Sequence, residues 1–126
     1  MSGIIYLVQP CELVGTNRYK IGMSSKTTLD RVIKGYRKGT RYLNIQEVEY
    51  PLELEKKIKN KFNNKFSLIA GKEYFEGDEY DIRNSFVGMV NDEHILRNRY
   101  CCRYIYNLAK LSVICVTCYF SLNYFI

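Results

Sequence analysis

A carboxylate set into the apolar side of a helix is the first feature of this sequence that could do chemistry. In Pro51 to Phe66, PLELEKKIKNKFNNKF, the residues Leu54, Ile58, Phe62 and Phe66 recur at every fourth position, a stripe along one side of a helix. Pro51 suits the first helical position, and Glu53 and Glu55 suit the first turn, where the helix dipole favours acids. At about 100° per residue the four-residue repeat drifts forward slowly. Glu55 therefore falls inside the arc swept from Leu54 to Phe66, and Glu53 falls nearly opposite. A carboxylate within a buried stripe is costly unless a positive charge meets it. Three outcomes are open: pairing with Lys59 one turn on, a carboxylate that simply reaches solvent, or a metal ion bound by a carboxylate on a rigid element.

The charge of the chain is uneven. Over 126 residues the net charge is +6. Residues 1–72 hold 14 Lys and Arg against 6 acids, residues 73–103 hold 4 against 7, and residues 104–126 hold Lys110 alone. A basic block of this density suits a polyanion, most simply nucleic acid, or else a well-solvated surface. Five cysteines are present, and four lie in the last 26 residues. Nothing at the start of the sequence reads as a signal peptide, so a reducing, intracellular compartment is expected.

The elements that must position these groups follow from local pattern. Gly3 to Gln9, GIIYLVQ, is a β-branched and aromatic run ended by Pro10 and reads as a strand, with Ile5 and Leu7 on one face and Ile4, Tyr6 and Val8 on the other. Tyr19 to Met23, YKIGM, reads as its hairpin partner across a loop containing Gly15 and Asn17. Thr27 and Asp30 form a loose capping box that opens a helix. Leu29, Val32, Ile33 and Tyr36 are its expected buried face, Arg31, Lys34 and Lys38 its opposite side, and Gly39 its end. Tyr42 to Tyr50 is a third strand, and after the Pro51 helix KEYFEG reads as a short strand or edge. This order argues for a small α/β (α+β) fold, with a three-stranded, mainly antiparallel sheet flanked by helices.

Read together, these motifs resemble the GIY-YIG nuclease superfamily over roughly residues 3–80. Gly3-Ile4-Ile5-Tyr6 is similar to the first motif with one extra residue, and Tyr19-Lys20-Ile21-Gly22 to the second. Arg31 stands on the first helix, where the family carries an arginine, and Glu55 opens E-K-K-I-K, similar to the helix bearing the family's metal-binding glutamate. With GKEYF, the set is most similar to the divergent phage and large-DNA-virus branch. The resemblance implies a nuclease domain over residues 1–85, followed by an extension over 86–126. It implies DNA as partner, Mg²⁺ as cofactor held by Glu55, and Tyr6, Lys20, Arg31 and Glu55 as catalytic residues, with Lys34, Arg37 and Lys38 on DNA. The alternative is a DNA-binding module on the same scaffold that does not cleave.

The chemistry needs such residues. An arginine grips a phosphate through two oxygens, one magnesium relieves charge, and a tyrosine near a cation can take a proton from water. The sequence also departs from the pattern. Lys20 stands where the family's second tyrosine directly precedes Ile-Gly. Strand alternation turns Tyr19 to the other face, so Lys20 would bring a positive charge to the phosphate and leave the proton-acceptor role to Tyr6. Tyr36 occupies the region where some members carry a histidine, but its spacing says core. Asn63 and Asn64 are candidates for the family's late asparagine, and the one histidine, His94, lies beyond the resembling region.

From Cys101 the chain turns apolar and aromatic. Leu111 to Ile126 is an uncharged run shorter than the ~20 residues of a typical span. A membrane anchor there is possible but not favoured over a helix or strand packed on the domain. Cys101, Cys102, Cys115 and Cys118 read as free thiols rather than a zinc site, since they lack the polar, Gly-containing turns of a zinc knuckle.

Overall fold

The structure is a computed structural model that describes the backbone of residues 1–124 and the side chains of residues 1–113. Five strands and three helices alternate along the chain: β1 (Gly3–Gln9), β2 (Arg18–Ser24), α1 (Leu29–Lys34), β3 (Arg41–Val48), α2 (Pro51–Lys65), β4 (Ser67–Ala70), β5 (Tyr74–Glu76) and α3 (Glu79–Tyr124). A short 3-10 turn, Cys11–Leu13, sits between the first two strands. The class is α+β. The strands form one sheet in the order β3-β1-β2-β5-β4, with every neighbouring pair antiparallel.

The sheet has five strands rather than the three expected. The additional pair, SLIA and YFE, is four and three residues long. YFE falls within KEYFEG, which reads as a short strand or edge, whereas SLIA is too short to carry a readable alternation. Gly71, at φ 56°, makes the turn between them, a backbone conformation that glycine adopts without steric cost. β5 then pairs along β2, Lys20 opposite Tyr74 and Tyr19 opposite Phe75.

β1 pairs on both sides and is buried along almost its whole length. Its odd residues Ile5 and Leu7 join Tyr19 and Ile21 of β2 in the core, under Leu54, Ile58 and Phe62 of α2. Burying each of these large side chains contributes roughly 1.5–3 kcal/mol. α2 forms where the four-residue repeat put it, with Pro51 in its first turn. It stops at Phe66, which is extended and donates its N–H to the Phe62 carbonyl. Phe62 meets Phe66 and Phe75 edge-on at ring separations of 4.9 and 5.4 Å.

α1 departs from expectation. It ends at Lys34, capped by Gly35, whose N–H meets the Val32 and Ile33 carbonyls. Only Val32 is buried, while Leu29 and Ile33 are about half exposed, at 48% and 51%. A helix of six residues is too short to turn an i, i+3, i+4, i+7 set towards one surface, so Tyr36 lies beyond the helix and is released from its pattern.

A polar clamp holds the far end of β1. Gln9 is fully buried. Its Nε2 donates to the Thr16 carbonyl at 2.7 Å, and its Oε1 accepts from Arg41 Nη1 at 2.8 Å. Arg41 also forks onto Glu79, at 2.7 and 3.3 Å, and the Tyr19 hydroxyl donates to the same carboxylate at 3.2 Å. The start of α3 is thereby tied to β1, β2 and β3.

Residues Met1–Val90 form one compact unit and Asn91–Ile126 a second. Among the described residues the first holds every buried residue of the core, the last being Val90. The second is the continuation of α3. Its described side chains include exposed Ile95, Leu96, Tyr100, Tyr104, Leu108 and Leu111, and the free, exposed thiols Cys101 and Cys102. Among the described residues no helix is long and apolar enough to cross a membrane. The side chains of Cys115 and Cys118, and most of the Leu111–Ile126 run, lie outside the described residues.

Candidate nucleic-acid interface

Strand parity decides which groups meet. Tyr6 and Gly22 are register partners, as are Val8 and Lys20. Side chains two apart share a face, so Lys20 stands on the Tyr6 side while Tyr19 is in the core. Glycine at position 22 has a definite cause. A Cβ there would lie 2.5 Å from both Cζ and the hydroxyl of Tyr6, so the ring rests on bare backbone.

Tyr6, Lys20, Ser24, Ser25, Arg31 and Tyr36 are among the residues lining a cleft of about 370 Å³ that opens between β2 and α1. Three sequence-nominated residues, Tyr6, Lys20 and Arg31, thus come together from β1, β2 and α1. Arg31 is exposed and makes no ion pair among the described residues. The neighbouring Lys34, Arg37 and Lys38 are largely exposed, and Arg37 makes only a loose 3.9 Å contact with Glu12.

Tyr36 is the cleft residue that the sequence reading assigned to the core. It meets Tyr6 edge-on at 6.0 Å, the two hydroxyls share a 3.4 Å hydrogen bond, and Tyr42 closes on its other side at 6.3 Å. Burial pushes the Tyr6 phenol far above the ordinary tyrosine range, and the Tyr36 hydroxyl adds to the rise. Lys20 opposes it, and the Glu55 carboxylate contributes a further upward push. Burial likewise raises Tyr36. Both phenols are therefore neutral hydrogen-bonding groups at physiological pH.

Glu55 stands in an adjoining groove of about 710 Å³, whose lining includes Lys56, Lys59, Asn60, Asn63, Lys72 and Glu73. It is nine-tenths buried, as its place in the apolar arc requires, and Lys59 Nζ lies 2.8 Å from its Oε1. Glu73 joins groove and cleft. Its Oε1 is 3.6 Å from Lys59, and its Oε2 is 3.3 Å from Lys20. The Lys20 ammonium in turn sits 5.4 Å from the ring centres of Tyr36 and Tyr74. The result is a row of alternating charge, Glu55–Lys59–Glu73–Lys20, ending at the tyrosine pair. Glu73 lies within the GKEYF motif, but its role in this row was not legible, because its partners come from β2 and α2 and share no spacing with it.

Magnesium keeps several waters and asks for one or two carboxylates beside substrate phosphates. Among the described residues no three His, Cys, Asp or Glu side chains gather to hold a metal. Glu55 and Glu73 do, however, share one ammonium, and two carboxylates are the number and type that a hydrated magnesium ion asks for. Asn63 lines the same groove, whereas Asn64 is exposed on α2 and lines neither the groove nor the cleft.

No family model, curated protein or solved structure matches this chain.

Proposed function

We propose that the first unit acts on DNA as a GIY-YIG-type domain, its cleft receiving a backbone phosphodiester for hydrolysis. One observation carries the reading: Tyr6, Lys20 and Arg31, nominated from three separate stretches of sequence, line a single open cleft. Arg31 grips two phosphate oxygens as a fork, and Lys20 adds a point charge from the strand. Tyr36 fixes the Tyr6 hydroxyl, which hydrogen-bonds a phosphate oxygen or the attacking water. Lys34, Arg37 and Lys38 hold the flanking phosphates. Magnesium bound at Glu55, with Glu73 opposite, would supply charge relief at the phosphate and the leaving oxygen.

A second reading, DNA binding without cleavage, is favoured by the Lys59 ammonium that already neutralises Glu55. Supercoiled plasmid incubated with the full chain, with Mg²⁺ or with EDTA, separates the two. The hydrolytic reading expects Mg²⁺-dependent nicking that drops by on the order of 10²-fold in Glu55→Gln and in Arg31→Ala, with Glu53→Gln unchanged. Binding without nicking under any divalent ion leaves the second reading standing. Binding should weaken with salt by about 0.9 in log-log slope per phosphate contacted, and Lys34→Glu with Lys38→Glu should weaken it for all sequences alike. Absence of binding at low salt sinks both readings.

A further inference from the structure

We propose that Lys59 is a resident cation at Glu55, and that a divalent ion reaches this carboxylate only by displacing it. The inference rests on Glu55 as the cation-binding residue of the proposed function, but not on cleavage. Lys59 is one turn beyond Glu55 on α2, and its ammonium is the shared partner of two carboxylates from different elements, at 2.8 Å from Glu55 and 3.6 Å from Glu73. Both Lys59 and Glu55 are largely shielded, with side-chain exposures of 17% and 12%. An ion pair so shielded is held more firmly than a surface pair, because solvent screens it less. Asn60, Asn63 and Lys72, which line the groove, are exposed, so water reaches it. Entry brings a hydrated ion into competition with an ammonium tethered within hydrogen-bonding distance.

The consequence reaches the cleft. Glu73 divides its two oxygens between Lys59 and Lys20. When Lys59 swings out, the Glu73 carboxylate is left to the incoming ion and to Lys20. Ion entry and Lys20 placement are therefore linked through one side chain.

Titration of the full chain with MnCl₂, read by the loss of free-ion electron paramagnetic resonance signal, tests the idea without DNA. Lys59→Met is expected to bind Mn²⁺ on the order of 10-fold or more tightly than the native chain, and the gain should vanish in Glu55→Gln/Lys59→Met. Lys61→Met, an equal loss of charge at an exposed position on the same helix, should leave the affinity near native. Equal affinity in the native chain and Lys59→Met overturns the proposal, as does a gain that survives Glu55→Gln or no Mn²⁺ binding by either. Thermal melts accompany each titration. If Lys59→Met is unfolded, Lys59→Gln takes its place under the same outcomes. A plasmid that stays uncut while the Mn²⁺ series behaves as expected removes only the hydrolytic reading.

Discussion

Adding one methyl group at Gly22 tests the core of the cleft directly. The new Cβ would lie 2.5 Å from Tyr6 Cζ and hydroxyl and 2.6 Å from Cε2, far inside contact distance. The ring cannot simply tip away, because Tyr36 stands edge-on against it at 6.0 Å. Overpacking of this kind costs about 1–3 kcal/mol. Alanine in place of a strand glycine returns roughly 0.5–1 kcal/mol through backbone entropy. Gly22→Ala should therefore destabilise by about 1–2 kcal/mol, a fall in melting temperature of ~4–16 °C for a domain of this size. Once Tyr6 is removed the clash has no partner. In a Tyr6→Ala background the same Gly22→Ala change should be neutral or stabilising by about 0.5 kcal/mol, giving a coupling of roughly 1–2.5 kcal/mol between the two sites. Urea unfolding of the four chains of this cycle, with the slope checked for constancy, measures it. An equal cost for Gly22→Ala in both backgrounds would show that the ring does not rest on position 22.

Two further outcomes follow from the clamp at the end of β1. Gln9→Leu keeps the volume but removes the hydrogen bonds to the Thr16 carbonyl and from Arg41, so the urea midpoint should drop by the equivalent of about 1 kcal/mol; an unchanged midpoint refutes the clamp. Glu79 is held below its ordinary pKa of 4.5 chiefly by its hydrogen bond from Arg41. A depressed carboxylate stabilises the fold above its unfolded pKa and loses that contribution as pH falls through the folded value. Glu79→Gln should therefore lower stability at neutral pH and flatten the acid limb below about pH 4.5, and superimposable pH profiles of the two chains would exclude the pairing.

What the sequence made legible was what local pattern encodes. The β-branched run Gly3–Gln9 reads as a strand and is one, and its alternation already separated Tyr6 from Ile5 and Leu7. The four-residue repeat placed α2 and put Glu55 among its buried positions, with Lys59 one turn on as a partner. Legibility failed where the decisive contact is tertiary. Tyr36 fits a helical repeat that Gly35 cuts short, and its true neighbour, Tyr6, is thirty residues away in the chain. Gln9 closes the strand on the Ile5 and Leu7 face, and the partners that satisfy it, Thr16 and Arg41, share no local pattern with it. β4 is too short to carry a pattern, and Glu73 acquires its role only because β5 pairs with β2.

The antiparallel pairing of β2 with β5 also sets an order of assembly. The β1–β2 hairpin closes across a loop of fewer than ten residues, whereas Lys20 must wait for Tyr74, more than fifty residues later. Short closures form early, and distant ones bear their entropy cost before any contact rewards them. During synthesis Tyr6 and Gly22 can meet while β5 is still to come, and Ile21 lacks the Glu73 carbonyl that receives its N–H. The tyrosine pair draws on contacts within the first third of the chain, whereas the row of charges needs Glu55, Lys59 and Glu73 as well.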